Sequence, residues 1–168
     1  MYRSNYWLKI IVFIFISLLL TETNLKAEII PFSLKEMVSA SELVVFGEVV
    51  DIKKRKYEDE RFGQGYLAKI RIKEILKKEI TEIIEPEIDV SFLPGLSIEP
   101  RFNLKEKVIL FLGKSGKTYH LVQGYAGKVT IEDGAVYVQA IYEEPGEQSL
   151  KGFLEKIRDT KSWHNGYR

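Results

Sequence analysis

The residues that first invite a chemical reading are Gly113-Lys114-Ser115-Gly116-Lys117-Thr118, whose glycines and Lys-Thr ending suggest a phosphate-binding loop. That loop needs Gly or Ala five positions before its second Gly, and Phe111 stands there. It also needs a helix N-terminus to present N–H groups to the phosphates. The residues that follow, Tyr119 to Gln123, read as a strand, so the stretch is expected to be a lysine-rich hairpin turn. The two histidines, His120 and His164, stand in no H-x-x-x-H or H-x-H spacing, so neither begins a zinc site. Ser115 has no G-x-S-x-G elbow around it, and neither histidine has a local partner for a triad. The carboxylate runs Glu58-Asp59-Glu60 and Glu143-Glu144 fall in turns, where charge is simply solvated. The chain is therefore read as a non-enzyme, with no catalytic residue, no cofactor and no metal.

Two stretches are suited to binding. The first is the outer face of a hairpin, where Lys53, Lys54, Arg55 and Lys56 are expected to lie with Lys69, Arg71 and Lys73, near Tyr57, Phe62 and Tyr66. Cationic groups interleaved with aromatics suit single-stranded nucleic acid or a polyanionic sugar. The alternative is an exposed hairpin kept soluble, and guarded against edge pairing, by its lysines. The second is the loop Phe92 to Phe102, which carries Leu93, Pro94, Leu96, Ile98 and Pro100 and is apolar for a loop. It either folds beneath the core as a plug or presents a protein-docking edge. The candidate contact residues are Lys54, Arg55, Tyr57, Phe62, Arg71, Leu96, Ile98 and Phe102.

The elements that would position these residues follow from local pattern. Residues 1–27 read as a secretory leader: Arg3 and Lys9, an apolar run from Ile10 to Leu20, then a polar stretch ending at Ala27. The apolar run is shorter than the about 20 residues a membrane span needs. Cleavage near Ala27 would leave an exported protein, periplasmic or extracellular, with no stable membrane span; an uncleaved leader would tether it. Of 25 basic and 24 acidic residues the leader takes Arg3, Lys9, Lys26 and Glu22, so the remainder is close to neutral. Such a balance gives no overall basic field, and export further disfavours nucleic acid as a partner. Cysteine is absent, which excludes a disulfide framework, a thiolate metal site and a lipidated N-terminal cysteine.

Ser33 and Glu36 have capping-box spacing, with Phe32 and Met37 at the staple positions, so a short helix is predicted from Leu34 to about Ser41. Leu43 to Ile52 is a buried strand with a bend or close backbone approach at Gly47. Tyr66, Ala68, Ile70 and Ile72 alternate with Lys69, Arg71 and Lys73 in the returning strand. Lys77 to Glu85 is predicted as an irregular connector pinned by Ile80, Ile83 and Ile84. Ile88 to Phe92 is a third strand. Lys107 to Leu112, apolar on both faces, is a central one. Gly124 to Gly127 reads as a kink, and Glu132-Asp133-Gly134 as a hairpin turn between Val129–Ile131 and Ala135–Val138. Pro145-Gly146 is expected to close the strand region. Leu150, Phe153, Leu154 and Ile157 then mark a C-terminal helix. The fold class is mainly β: a small five- to six-stranded, OB-like antiparallel barrel with one helix at each end. The domain organisation is a leader at 1–27, one domain at 28–160 and a loose tail at 161–168.

Ser41-Glu42-Leu43-Val44-Val45-Phe46-Gly47-Glu48-Val49-Val50 resembles the opening A-D-x-V-x-x-G-x-V strand of netrin-like modules and tissue inhibitors of metalloproteinases, and of exported bacterial proteins with the same barrel. Ile70 to Lys77 is similar to their second strand. Phe102 to Leu112 is similar to F-x-x-G-x-x-Y-L-(L/V)-F-L, with Lys105-Glu106 where Gly-Glu is common, and Gly124 to Lys128 to a later G-x-x-G-x. The resemblance spans about residues 40–140 and implies an oligonucleotide/oligosaccharide-binding (OB) barrel, a scaffold that hosts many ligands. The inhibitors chelate zinc through an N-terminal cysteine; this chain has none, so that mechanism transfers to no residue. The expected function is an exported module binding a protein or envelope component. Regulation of an exported peptidase without zinc chelation, and binding of an anionic polymer, are the alternatives.

Overall fold

The computed structural model describes residues 33–56, 64–93, 101–138 and 146–162. Helix α1, Leu34–Ala40, opens on the expected capping box: Glu36 N–H donates to Ser33 Oγ, and Ser33 N–H to Glu36 Oε2. This arrangement satisfies two of the donors a helix N-terminus leaves unpaired. Met37 and Val38 are buried, and Leu34 packs beside them. The staple residue Phe32 lies outside the described residues.

Eight strands form one sheet: β1 (Leu43–Lys56), β2 (Gln64–Lys78), β3 (Glu87–Phe92), β4 (Lys107–Ser115), β5 (Thr118–Leu121), β6 (Lys128–Glu132), β7 (Ala135–Val138) and β8 (Gly146–Ser149). The strand order is β1-β2-β3-β5-β4-β6-β7-β8, and β1 also pairs with β4, so a ring closes through β1, β2, β3, β5 and β4. Eight strands exceed the five to six expected. The ring also includes one parallel pair, β3 with β5, where an all-antiparallel arrangement was predicted. Gly146 does not end the strand region but begins β8, which pairs with β7. Its residues Gly-Glu-Gln-Ser carry no β pattern, and pairing alone makes them a strand.

Two cores lie on the two faces of this sheet. Inside the ring are Leu43, Val45, Val49, Ala68, Ile70, Val90, Val108, Leu110 and Leu112, all fully buried. On the outer face Val44, Ile109, Phe111, Val129 and Val136 meet α1 and α2 (Leu150–Ser162), whose Phe153, Leu154 and Ile157 face the sheet as their spacing predicts. β4 contributes to both cores and is paired along both sides, with β1 on one and with β5 and β6 on the other. The continuous apolar run of β4 has this cause: a strand with no solvent face has no reason to alternate. Gly47 sits at a register shift where a Cβ would fall 2.7 Å from Arg71 O, which is the close approach its position suggests.

Lys77 is a correction. The polar run from Lys77 reads as a connector, but β2 continues through Lys78 and Lys77 is only 3% exposed. Its Nζ donates to Val38 O and Ser41 O, both at 2.6 Å, and pairs with Glu79 at 2.9 Å. The ammonium thereby serves the orphan carbonyls at the C-terminus of α1. Beyond it Ile80 and Ile84 pack against the ring core as expected, whereas Ile83 is 93% exposed and pins nothing.

Candidate functional site

The predicted basic face is built by pairing β1 with β2 and β2 with β3. Register places Asp51 opposite Lys69 opposite Asp89, and Glu48 opposite Arg71 opposite Glu87. A cationic row on the middle strand is therefore flanked by an acidic row on either side. Arg71 Nε donates to Glu87 Oε1 at 3.0 Å, Lys73 pairs with Glu48 at 2.6 Å, and Lys53 with Asp51 at 3.1 Å. The Lys73 ammonium holds the Glu48 carboxyl below its ordinary range, and Lys53 does the same to Asp51. Opposite charges directly across a sheet attract, and here they leave little positive field for a polyanion. Arg71 is exposed but engaged.

Lys54 lies elsewhere. A shift of register between Val49 and Asp51 places Lys54 opposite Tyr66, and strand alternation puts it on the face opposite Lys53 and Arg55. The single basic row expected from Lys53-Lys54-Arg55 is split between two faces. Arg55 remains at the distal end of the outer face, half-exposed. Tyr57 and Phe62, and the loop residues Leu96 and Ile98, lie outside the described residues.

Phe102 is a core residue and not a contact residue. It is 5% exposed, its ring lies 4.9 Å from that of Phe92, and Phe92 in turn lies 5.7 Å from Tyr66. Lys128 Nζ stands 5.0 Å above the Phe102 ring, pairs with Glu106 at 2.6 Å and donates to Arg101 O. Glu106 also accepts from Thr130 Oγ1 and from Asn103 N–H, each at 3.0 Å. Lys128 and Glu106 were not singled out in the sequence, where each is one more surface-type charge. Burial without loss of charge requires a hydrogen-bonded counter-ion, and only tertiary contact supplies one.

The stretch from Gly113 to Thr118 is the end of β4, a turn and the start of β5, as the absence of a following helix predicts. His120 is exposed on β5, its ring lying over Gly113, where a Cβ would fall 2.7 Å from Nε2. No group of three or more metal-ligating side chains converges among the described residues. His164, Glu58-Asp59-Glu60 and Glu143-Glu144 lie outside them.

A groove that the sequence did not disclose lies beside β3. β2 pairs with β3 from Glu87 to Phe92, but β5 pairs with it only at Val90 and Ser91. The uncovered half, Glu87–Asp89, borders a groove of about 470 Å³ whose other wall carries Lys114, Lys117 and Tyr119. Glu82, Ile83 and Glu85 form its rim. Lys114 Nζ is held by Glu82, which raises its pKa, and Lys114 N–H donates to Glu42. Burial raises the Tyr119 hydroxyl in turn.

No protein-family model matches the chain, and no curated protein matches it. Among the described residues no helix is long and apolar enough to cross a membrane.

Proposed function

We propose that the chain is an exported, non-enzymatic binding module on an OB-like barrel, and that it engages a protein or envelope component. The barrel reading is supported by the ring order β1-β2-β3-β5-β4, a meander followed by a crossed return, as a five-stranded Greek-key barrel requires. The observation that carries the binding reading is the contrast between spent and unspent polar groups. Lys53, Arg71 and Lys73 on the β1–β2 face and the buried Lys77 and Lys128 are committed to internal partners, whereas the β3 edge opens onto a groove with no strand opposite it among the described residues. The reading of residues 1–27 as a three-part secretory leader supports the export part of this proposal.

Affinity capture with the full chain from the secreted and envelope proteins of its own cells tests this function. One partner that rebinds the purified chain saturably at equal stoichiometry is the expected result. Retention only on heparin or single-stranded nucleic acid, lost as salt rises and abolished by Lys54→Glu with Arg55→Glu, would replace it with the polymer reading.

A further inference from the structure

We propose that the open edge of β3 seats an extended, basic segment of a partner protein, added to the sheet as a short strand. The inference rests on the binding-module reading and assigns that reading a place and a partner chemistry.

Peptide geometry comes first. Pro86 O accepts from Ile72 N–H, so the even-numbered residues of β3 turn their main-chain groups toward β2. Glu87 and Asp89 therefore turn theirs to the other side, because strand residues alternate. β5 reaches only Val90 and Ser91 before Ser115–Thr118 turns it away. The Glu87 N–H and C=O and the Asp89 N–H consequently face the groove with no strand opposite them among the described residues. A main-chain edge beside a groove is what strand addition uses, and it recognises polypeptide rather than sugar or lipid.

Charge then selects the segment. Four carboxylates line the groove, of Glu82, Glu85, Glu87 and Asp89, against two ammonium groups. Lys114 is neutralised by Glu82, and Glu87 by Arg71, which leaves Glu85 and Asp89 in no ion pair with a described residue, against Lys117. A second copy of this chain paired edge to edge would set Glu87 and Asp89 against their own equivalents, and like charges directly opposite repel. A partner strand alternating Lys or Arg with apolar residues meets the carboxylates on one face and has Ile83, 93% exposed, at the rim. With three main-chain bonds and no deep pocket the isolated segment binds weakly, with Kd roughly 0.1–1 mM.

The experiment is a residue-resolved amide NMR titration of the full chain with acetyl-Lys-Val-Lys-Val-Lys amide. Saturable shifts at Glu87, Asp89 and Lys117 are expected, weakened at least threefold by Asp89→Lys or Glu85→Lys and unchanged by Glu155→Lys on the far helix. A fully N-methylated peptide of the same charge should bind about tenfold more weakly, since it has lost its main-chain donors. Equal binding of the two peptides, shifts mapping elsewhere, or indifference to Asp89→Lys would overturn the proposal. Hydrogen exchange on the free chain gives a second reading that needs no ligand and no variant. Glu87 and Asp89 amides should exchange fast while Ile88 and Val90 stay protected; protection of all four would show the edge already covered. A captured partner that binds Asp89→Lys as well as the native chain moves the seat elsewhere and leaves the module standing. Peptide binding at the edge with no partner from any fraction removes the module reading and leaves the seat.

Discussion

β4 and β3 are neighbours of β5 in one sheet, yet they are finished to different degrees. β4 has strands along both sides and apolar contacts on both faces, and its Val108 to Leu112 are fully buried. β3 has a strand along one side, half a strand along the other, and one solvent face. Local sequence accounts for the faces, since Val108 to Leu112 is unbroken apolar and Glu87 to Phe92 alternates, but not for the edges. The difference is how long each neighbour stays alongside: β6 and β5 share one side of β4 between them, while β5 turns away after two residues of β3. Where the sheet is complete the chain pairs its main-chain groups with itself, and where it is incomplete those of Glu87 and Asp89 have no strand opposite them among the described residues.

The comparison can be broken most severely at β4. Phe111→Ala should cost about 4 kcal/mol, because the ring is fully buried between sheet and helices and the cavity cannot collapse on both sides. Urea unfolding followed by far-ultraviolet circular dichroism measures it; a loss near that of a surface change would mean the outer core is loose.

Lys128→Met comes next. It leaves the largely covered Glu106 carboxylate without its cation and should destabilise by about 3 kcal/mol. The double variant with Glu106→Leu should recover most of the loss, since an apolar pair carries no orphan charge. Equal losses from single and double variants would show that packing, and not charge, is the cause. Lys77→Met should cost about 2 kcal/mol by leaving the Ser41 carbonyl without a donor and the Val38 carbonyl with only the Ser41 N–H, and α1 should lose its exchange protection before the sheet does.

A smaller effect, of opposite sign, tests the turn leading into β4. Lys105 has φ +66°, the left-handed region, and its N–H donates to Val49 O, so the turn cannot relax. Lys105→Gly should stabilise by about 0.5–1 kcal/mol, since the strain on a β-carbon exceeds the extra freedom glycine brings to the unfolded chain. A lower melting temperature in that variant would sink the strain argument.

The smallest effect concerns the charged face. Glu48 and Asp51 are held below their ordinary values of 4.5 and 3.8, so they bind fewer protons folded than unfolded. Their contribution is intact above those values and fades as pH falls through the lower folded ones. Between pH 6 and pH 3 the Glu48→Gln variant should lose slightly less stability than the native chain. An identical pH profile would mean the Lys73 contact does not persist in solution.

Sequence alone determined the elements whose signals are local. The capping box at Ser33 and Glu36, the alternation of β2, the unbroken run of β4, the Asp133-Gly134 turn and the period of α2 are each written within about ten residues. Physical chemistry reads them without knowing what lies opposite. Tertiary structure alone decided which strands meet and where they part. Nothing in Val90 or Tyr119 announces a parallel pair, and β8 is a strand only because β7 pairs with it. The charged ladder joins residues 16 to 25 apart in sequence, Arg71 to Glu87 and Lys73 to Glu48. The placing of Lys54 opposite Tyr66 depends on one register shift, and the burial of Lys77 and Lys128 on partners that alternation does not specify. The β3 groove lies furthest beyond sequence reading, because it is defined by where a neighbouring strand stops. Side-chain periodicity records which face of a strand is buried, but it has no means of recording whether its edge is paired.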